Sequence, residues 1–290
     1  MFRWLPLAVA VLAVLTVLAV LAAGLTLPFP GHCADGAPPA RSVHSARPAS
    51  LPPSRVLFDE DLPPYAYRLS GEAHRARGIY PELTAEAFHR LGLRTALEPT
   101  PWARAMAELD AGRAGVCGLY STGQRLLLHD FSSPLFEERL HLVVPVGSDM
   151  PEALAGPDGE PLAALRGMRL GVVRGWSYGD TLDAARTAGA FVAEEAGSEA
   201  QNMLKVAGGR LDGAIITREG AMWLQERLGL TRLVVVAPLP LAVLPVHLAF
   251  RRQAGQRELL RAFDAAIRDM RADGTYARIV ERALDGQDGQ

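Results

Sequence analysis

Ala111-Gly112-Arg113-Ala114-Gly115-Val116-Cys117-Gly118-Leu119-Tyr120 and Gly208-Gly209-Arg210-Leu211-Asp212-Gly213-Ala214-Ile215-Ile216-Thr217 lie far apart in the chain and read alike. Each has the end of a helical stretch, a Gly-Arg step, an apolar run suited to a buried strand, and a polar exit. Helix, glycine, strand is common α/β grammar, so this pair gains its weight from what surrounds it.

Working outward, residues 55–58, 95–98 and 115–119 read as short strands, and 81–91 and 102–111 as helices between them. Ile79, Leu83, Ala87, Phe88 and Leu91 form one apolar stripe, and Met106 and Leu109 another that stops at Gly112. This is the βαβ grammar of a mainly parallel sheet. The run 137–145 reads as a long strand leaving that unit. The grammar then restarts, with strands at 169–173, 191–194, 211–216 and 232–236 and helices at 180–188 and 219–228. Between them Ser198-Glu199-Ala200-Gln201 matches a capping box and opens a helix that Gly208-Gly209 closes. Residues 244–251 read as a return crossover, and helices at 257–271 and 275–284 finish the chain. The fold expected is α/β with two lobes: two mixed, mainly parallel sheets joined by two hinge crossovers. Lobe 1 takes residues 54–146 and 245–287, lobe 2 takes 147–244, and loops at the carboxyl ends of parallel strands face a cleft between them.

Of the 290 residues 49% are hydrophobic and 21% charged, a balance that excludes a disordered chain or a many-span membrane protein. Lys plus Arg number 30 against 32 for Asp plus Glu; without residues 1–53 the figures are 27 and 31, so no basic nucleic-acid footprint exists. Arg3 followed by the apolar run 4–23 makes residues 1–33 an export signal or a membrane anchor, with a cleaved signal favoured over a retained tether. Cys33 follows His32, which fits a lipoprotein signal poorly, and Cys117 reads as a buried small hydrophobe. Residues 34–53, rich in Pro, Ala and Ser, read as a flexible leader. The body is placed in the periplasm as a monomer.

Arg125 ends a Thr-x-x-Arg element beyond a buried strand, where a guanidinium can grip a carboxylate through two parallel hydrogen bonds. Its alternative is an ion pair with Asp130 or Glu138. Thr122 reads as a ligand donor or a helix cap. Ser177, Tyr178 and Gly179 precede a helix whose free N–H groups and dipole favour an anion, and Ser177 as a simple N-cap is compatible with that. Tyr65, Trp102, Trp176 and Tyr178 are candidate aromatic walls. The histidines lack zinc spacing, and there is no nucleophile elbow, P-loop or dinucleotide fingerprint. No metal or cofactor is expected.

Phe58-Asp59-Glu60-Asp61-Leu62-Pro63-Pro64-Tyr65, Gly78-Ile79-Tyr80-Pro81-Glu82-Leu83, Pro101-Trp102-Ala103-Arg104-Ala105-Met106, Thr122-Gly123-Gln124-Arg125 and Asp273-Gly274-Thr275-Tyr276-Ala277-Arg278-Ile279 occur in an order that resembles the family-3 extracellular solute-binding proteins, over about residues 55–285. The resemblance implies a periplasmic binding protein-like fold that closes on a small carboxylated solute, an amino acid or a relative of one, and presents it to an ABC transporter permease. It implies that Arg125 holds the solute's α-carboxylate, that Tyr65 stacks on the solute, and that Gly118 and Tyr120 face it. It also exposes a departure: an aspartate that neutralises the α-ammonium is expected where this chain has Thr217. Glu219 or the Asp59-Glu60-Asp61 loop then substitutes, or the solute is not an ordinary α-amino acid. A binding protein rather than an enzyme is expected. The alternative is an exported enzyme on the same scaffold, such as a cyclohexadienyl-type dehydratase, with Glu60 or Glu219 as general acid.

Overall fold

A computed structural model describes residues 55–72, 74–149, 161–253 and 256–285. The expected export segment and leader lie outside them. Among the described residues no helix is long and apolar enough to cross a membrane.

The front half opens with β1 (Val56–Asp59), which is buried along its whole length. A small antiparallel sheet of β2 (Asp61–Leu62), β3 (Ala66–Arg68) and β4 (Ala76–Arg77) follows. Next come α1 (Ile79–Arg90), β5 (Leu97–Thr100), α2 (Trp102–Asp110) and β6 (Gly115–Tyr120). α1 buries Ile79, Leu83 and Ala87 together with Tyr80, Thr84 and Phe88, the two i, i+4 rows that the apolar stripe predicts. Gly78 starts this helix at φ 107°, where a Cβ would lie 2.5 Å from the Pro64 carbonyl oxygen. Only glycine lets the chain turn there so closely on Pro64 and Tyr65. α3 (Gly123–Leu128) and β7 (His129–Phe131) lead to the long β8 (Phe136–Pro145).

The back half contains α4 (Pro161–Ala164), β9 (Arg169–Val173), α5 (Asp180–Thr187), β10 (Val192–Ala196), α6 (Glu199–Ala207), β11 (Gly213–Thr217) and α7 (Arg218–Arg227). Ser198 caps α6 by accepting from the Gln201 N–H at 3.2 Å. The Gln201 side chain reaches back to the Gly197 N–H at 3.1 Å, one residue earlier than a simple capping box. β12 (Val234–Arg251) then returns to the front half, where α8 (Gln256–Ala272) and α9 (Thr275–Leu284) pack on α1.

Instead of two separate sheets, the strands form one continuous ladder, β10-β9-β11-β8-β12-β6-β1-β5, with β7 also on β12. β8 and β12 pair antiparallel along most of their length and so fuse the halves. The sequence splits β12 into a strand at 232–236 and a crossover at 244–251, with Pro238 and Pro240 between them. Two register shifts, on either side of Pro240, let one strand run through them. The outer strands of each half pair in parallel, as the βαβ grammar requires.

Two sets of cores flank the joining strands. Phe58, Tyr65, Tyr80, Phe88, Leu135, Val246 and Phe263 share the front one. Leu140, Leu142, Val144, Leu170, Val172, Tyr178 and Leu182 share the back one, with Val143, Met203, Ile216 and Leu224 on the other face of the sheet. Each such side chain contributes roughly 1.5–3 kcal/mol of burial. Leu140 to Val144 of β8 therefore belong to the back core, although the sequence assigns residues up to 146 to the front lobe.

Candidate functional site

A cavity of about 350 Å³, mouth included, lies between the halves. The front half lines it with Asp59 and Leu62 after β1, Trp102 at the start of α2, Gly118 and Tyr120 of β6, Arg125 of α3 and Glu138 of β8, and the back half with Trp176 and Ser177 from the loop before α5. Hydrogen bonds cross from one half to the other around it. Trp102 Nε1 donates to the Gly175 carbonyl at 3.2 Å, and Trp176 Nε1 to Asp59 Oδ2 at 3.1 Å. The Gly123 N–H donates to Asp180 at 3.1 Å, and the Tyr65 hydroxyl to Glu219 Oε2 at 2.7 Å. The structure is a closed form.

Arg125 is half-buried, and its Nη1 donates to the Tyr120 carbonyl at 3.1 Å. Burial pulls the guanidinium below the usual arginine range, opposed by Asp183 and by Asp110 and Asp180. Neither alternative partner engages it: Asp130 pairs with Arg252 and Arg257, and Glu138 is held by tyrosines. Among the described residues no carboxylate lies within ion-pair distance of Arg125.

Glu138 sits at the floor, 2% exposed. The Tyr80 hydroxyl donates to Oε1 and the Tyr120 hydroxyl to Oε2. Burial pushes this carboxyl up to about 7 despite those donors, and the neighbouring Glu219 adds to the rise. Asp59 is pushed up to about 6, again by burial, while the Asp61 N–H and Trp176 Nε1 hold its oxygens. Glu199, deeper in the back half, is raised well above the ordinary carboxylate range by burial and by Glu138. Beneath the cavity Tyr65 stacks on Tyr80 with ring centroids 5.3 Å apart, and Phe136 meets both rings edge-on.

Of the residues singled out by sequence, Trp102, Gly118, Tyr120, Arg125 and Ser177 line the cavity together, and so does Trp176. Tyr65, Thr122, Tyr178 and Thr217 do not. Tyr65 is fully buried in the front core and reaches across to Glu219 rather than offering a face to a solute. Thr122 stands at the N-cap position of α3 without a side-chain capping bond, and lies in an adjoining groove that it shares with Arg125, Ser177, Asp180 and Asp183. Tyr178 is packed in the back core, where its hydroxyl accepts from the Val173 N–H at 2.7 Å. The helix-start amides expected to hold an anion are also engaged: the Tyr178 N–H donates to Asp183 Oδ1 at 2.9 Å and the Gly179 N–H to Ser177 Oγ at 3.2 Å. An aspartate one turn into α5 supplies the negative charge that the dipole favours. Thr217 is 2% exposed at the start of α7, with Glu199 beside its backbone.

Glu138, which the sequence names only as an alternative partner for Arg125, is an acidic residue that the sequence reading does not place in the cavity. Its signal is a period of two: in Glu137-Glu138-Arg139-Leu140 the first and third residues are exposed and the second and fourth buried, so Glu138 shares the inward face with Leu140. Glu60 is held by Arg68 and Glu219 by Tyr65, and neither lines the cavity. Among the described residues no group of three or more His, Cys, Asp and Glu side chains is arranged to hold a metal ion.

Comparison with known proteins agrees with this geometry. The family model of bacterial extracellular solute-binding proteins, family 3, matches residues 54–285. The L-cystine-binding protein TcyJ of Escherichia coli (strain K12) is 25% identical over 237 residues, 78% of this chain and 80% of that protein. Among solved structures, an ancestral arginine-binding protein bound to arginine superposes with a TM-score of 0.66 at 22% identity, covering 79% of this chain and 96% of that one. The ancestral amino acid-binding protein AncCDT-1, a precursor of cyclohexadienyl dehydratase, gives 0.63 at 21% identity over 80% and 94%.

Proposed function

The chain belongs to the bacterial extracellular solute-binding proteins, family 3, and from that premise we propose that its cleft captures a small carboxylated solute, an amino acid or a close relative, for an ABC importer. The observation that carries this is Arg125: a half-buried guanidinium lining the cavity, held in place by a carbonyl, with no carboxylate of the described residues within ion-pair distance. Planar guanidinium groups in such sites bind carboxylates bidentately. TcyJ is an L-cystine-binding protein and one similar structure holds arginine, which supports an amino-acid solute. Trp102, Trp176 and Tyr120 supply the aromatic walls, and Gly118 and Ser177 the small polar contacts.

In this proposal lobe 1 comprises residues 54–139 and 245–287, and the hinge lies where β8 and β12 pass from one core to the other. Leu135 packs in front and Leu140 behind, and Leu244 packs behind and Val246 in front. The body works outside the cytoplasm, delivered by residues 1–33, and meets its permease as a monomer. The enzyme alternative loses both of its assigned acids, since Glu60 and Glu219 do not line the cavity.

The test is a thermal-shift screen of the purified protein against L-amino acids and L-cystine, with the ligand recovered and weighed afterwards. A stabilising amino acid recovered unchanged supports a binding protein, and Arg125→Ala abolishes the shift. An Arg125→Ala protein that keeps the full shift removes the assigned role.

A further inference from the structure

The cleft is charged unevenly. Among the described residues none of Asp59, Glu138, Glu199 and Glu219 has an arginine, lysine or histidine within ion-pair distance, and Arg125, which lines the same cavity as Asp59 and Glu138, has no carboxylate within that distance. Buried charges of one sign without a counter-charge are costly, and a bound zwitterion would balance both ends at once. Thr217, where the resemblance leads one to expect an ammonium-binding aspartate, is neutral.

The four carboxyls are not equivalent. Glu199 and Glu219 do not line the cavity. Asp59 does, but its oxygens already hold Trp176 Nε1 and the Asp61 N–H, which fixes the aromatic wall across the cleft. Glu138 also lines it, and each of its oxygens takes one phenol hydroxyl from the protein side, leaving further acceptor capacity on both. Tyr80 and Tyr120 hold it rigidly, so a cation meets it without reorganisation.

We propose that Glu138 is the residue that binds the solute's ammonium group, so that the cleft takes a zwitterion with its carboxylate on Arg125 and its charged nitrogen on Glu138. The inference rests on the reading of the cleft as an amino-acid site. It makes binding dependent on proton concentration. The groups facing Glu138 are Tyr80 of α1, Tyr120 of β6, Tyr65 behind Tyr80, Glu219 of α7 and Glu199 of α6, none of them a cation. In the empty closed cleft its carboxyl is therefore pushed up to about 7. Below that pH the ammonium must displace a proton from Glu138; above it the carboxylate is already ionised.

Isothermal titration decides the matter, using L-cystine and the twenty proteinogenic L-amino acids, with the tightest binder paired against its des-amino carboxylic acid. Wild-type affinity for the amino acid is expected to be about tenfold weaker at pH 6 than at pH 8, with about one proton released at pH 6, as a single titrating group near pH 7 requires. Glu138→Gln, close to isosteric, should lose at least about thirtyfold toward the amino acid, as loss of a buried charge partner does. It should bind the des-amino acid within about threefold of wild type, and its pH dependence should vanish. Arg125→Ala should lose both ligands. If Glu138→Gln binds the amino acid like wild type, or wild type shows no proton release, the role of Glu138 is overturned while the cleft reading stands. If no amino acid binds, both fall. If a bound compound is converted, Glu138 acts as an acid on substrate and the proposal is replaced.

Discussion

Changing Tyr65 to Phe removes one oxygen atom from a position where everything else about the side chain is packing. The ring is fully buried, stacked on Tyr80 and met by Phe136, and phenylalanine keeps those contacts. The hydroxyl donates to Glu219 Oε2 at 2.7 Å, and Glu219 belongs to α7 on the other side of the cleft. Hydrogen bonds to a charged group contribute about 1.5–3 kcal/mol. This one exists only in the closed form, because on opening both groups exchange each other for water. Its loss therefore falls on the closing equilibrium, and at about 1.4 kcal/mol per tenfold the affinity for the solute should weaken by roughly 10- to 100-fold. Titration calorimetry of Tyr65→Phe with the best amino-acid ligand measures the affinity, and small-angle scattering measures closure. The reasoning fails if Tyr65→Phe binds within twofold of wild type, or if its unfolding free energy without ligand drops by as much as its binding free energy. Either result would mean that the hydroxyl serves the fold of one half and not the union of two.

Gly78→Ala should cost at least about 2 kcal/mol in chemical denaturation, since a side chain at φ 107° meets the Pro64 and Tyr65 carbonyls at 2.5 and 2.7 Å; an unchanged midpoint would refute the assigned turn. Cys117, whose buried thiol is pushed up to about 12, should resist iodoacetamide at pH 8 in a Cys33→Ser protein and react fully in denaturant; native labelling would show that the front core opens readily. Glu138→Gln should stabilise the ligand-free protein at pH 8. The carboxyl's folded-state pKa is raised from 4.5 to about 7, so the folded state binds the extra proton and stability declines as pH rises through that interval. The variant escapes that decline, by up to about 3 kcal/mol, and a melting-temperature difference that does not grow between pH 5 and pH 8 would contradict it.

The fold was legible where periodicity is strong. The rows of α1, the apolar runs of β6 and β11 and the capping box at Ser198 each state their element locally. Legibility fails where tertiary pairing overrides a local rule. Two prolines, Pro238 and Pro240, divide β12 on paper, yet the fold threads one strand through them by shifting its register beside Pro240. Arg125, Trp102 and Ser177 could be picked out because loops after strands and helix starts are where α/β folds place their sites, whereas Gly118 and Tyr120 came from the family resemblance. Tyr178 and Tyr65 were credited with aromatic walls because a sequence does not show which way a ring turns. Both turn into cores, and the walls are Trp102 and Trp176. Glu138 was read only as an alternative partner for Arg125 because it lies within a strand flanked by charged neighbours, and only the face it shares with Leu140 marks it as inward.

The cross-cleft bonds and the buried acids act against one another. Trp102, Trp176, Gly123 and Tyr65 each contribute one hydrogen bond to closure, at about 1 kcal/mol apiece and somewhat more where the acceptor is a carboxylate. Closing without a solute also removes Asp59 and Glu138 from water with no described cation within ion-pair distance, and each displaced carboxyl pKa opposes those bonds by a comparable amount near neutral pH. The two sets roughly cancel, leaving closure to depend on what enters. An ammonium on Glu138 reverses the sign of the electrostatic contribution, and a carboxylate on Arg125 supplies the remaining balance. A neutral molecule of the same shape does neither, so on this account the charge pattern of the solute, more than its size, determines whether the lobes stay together.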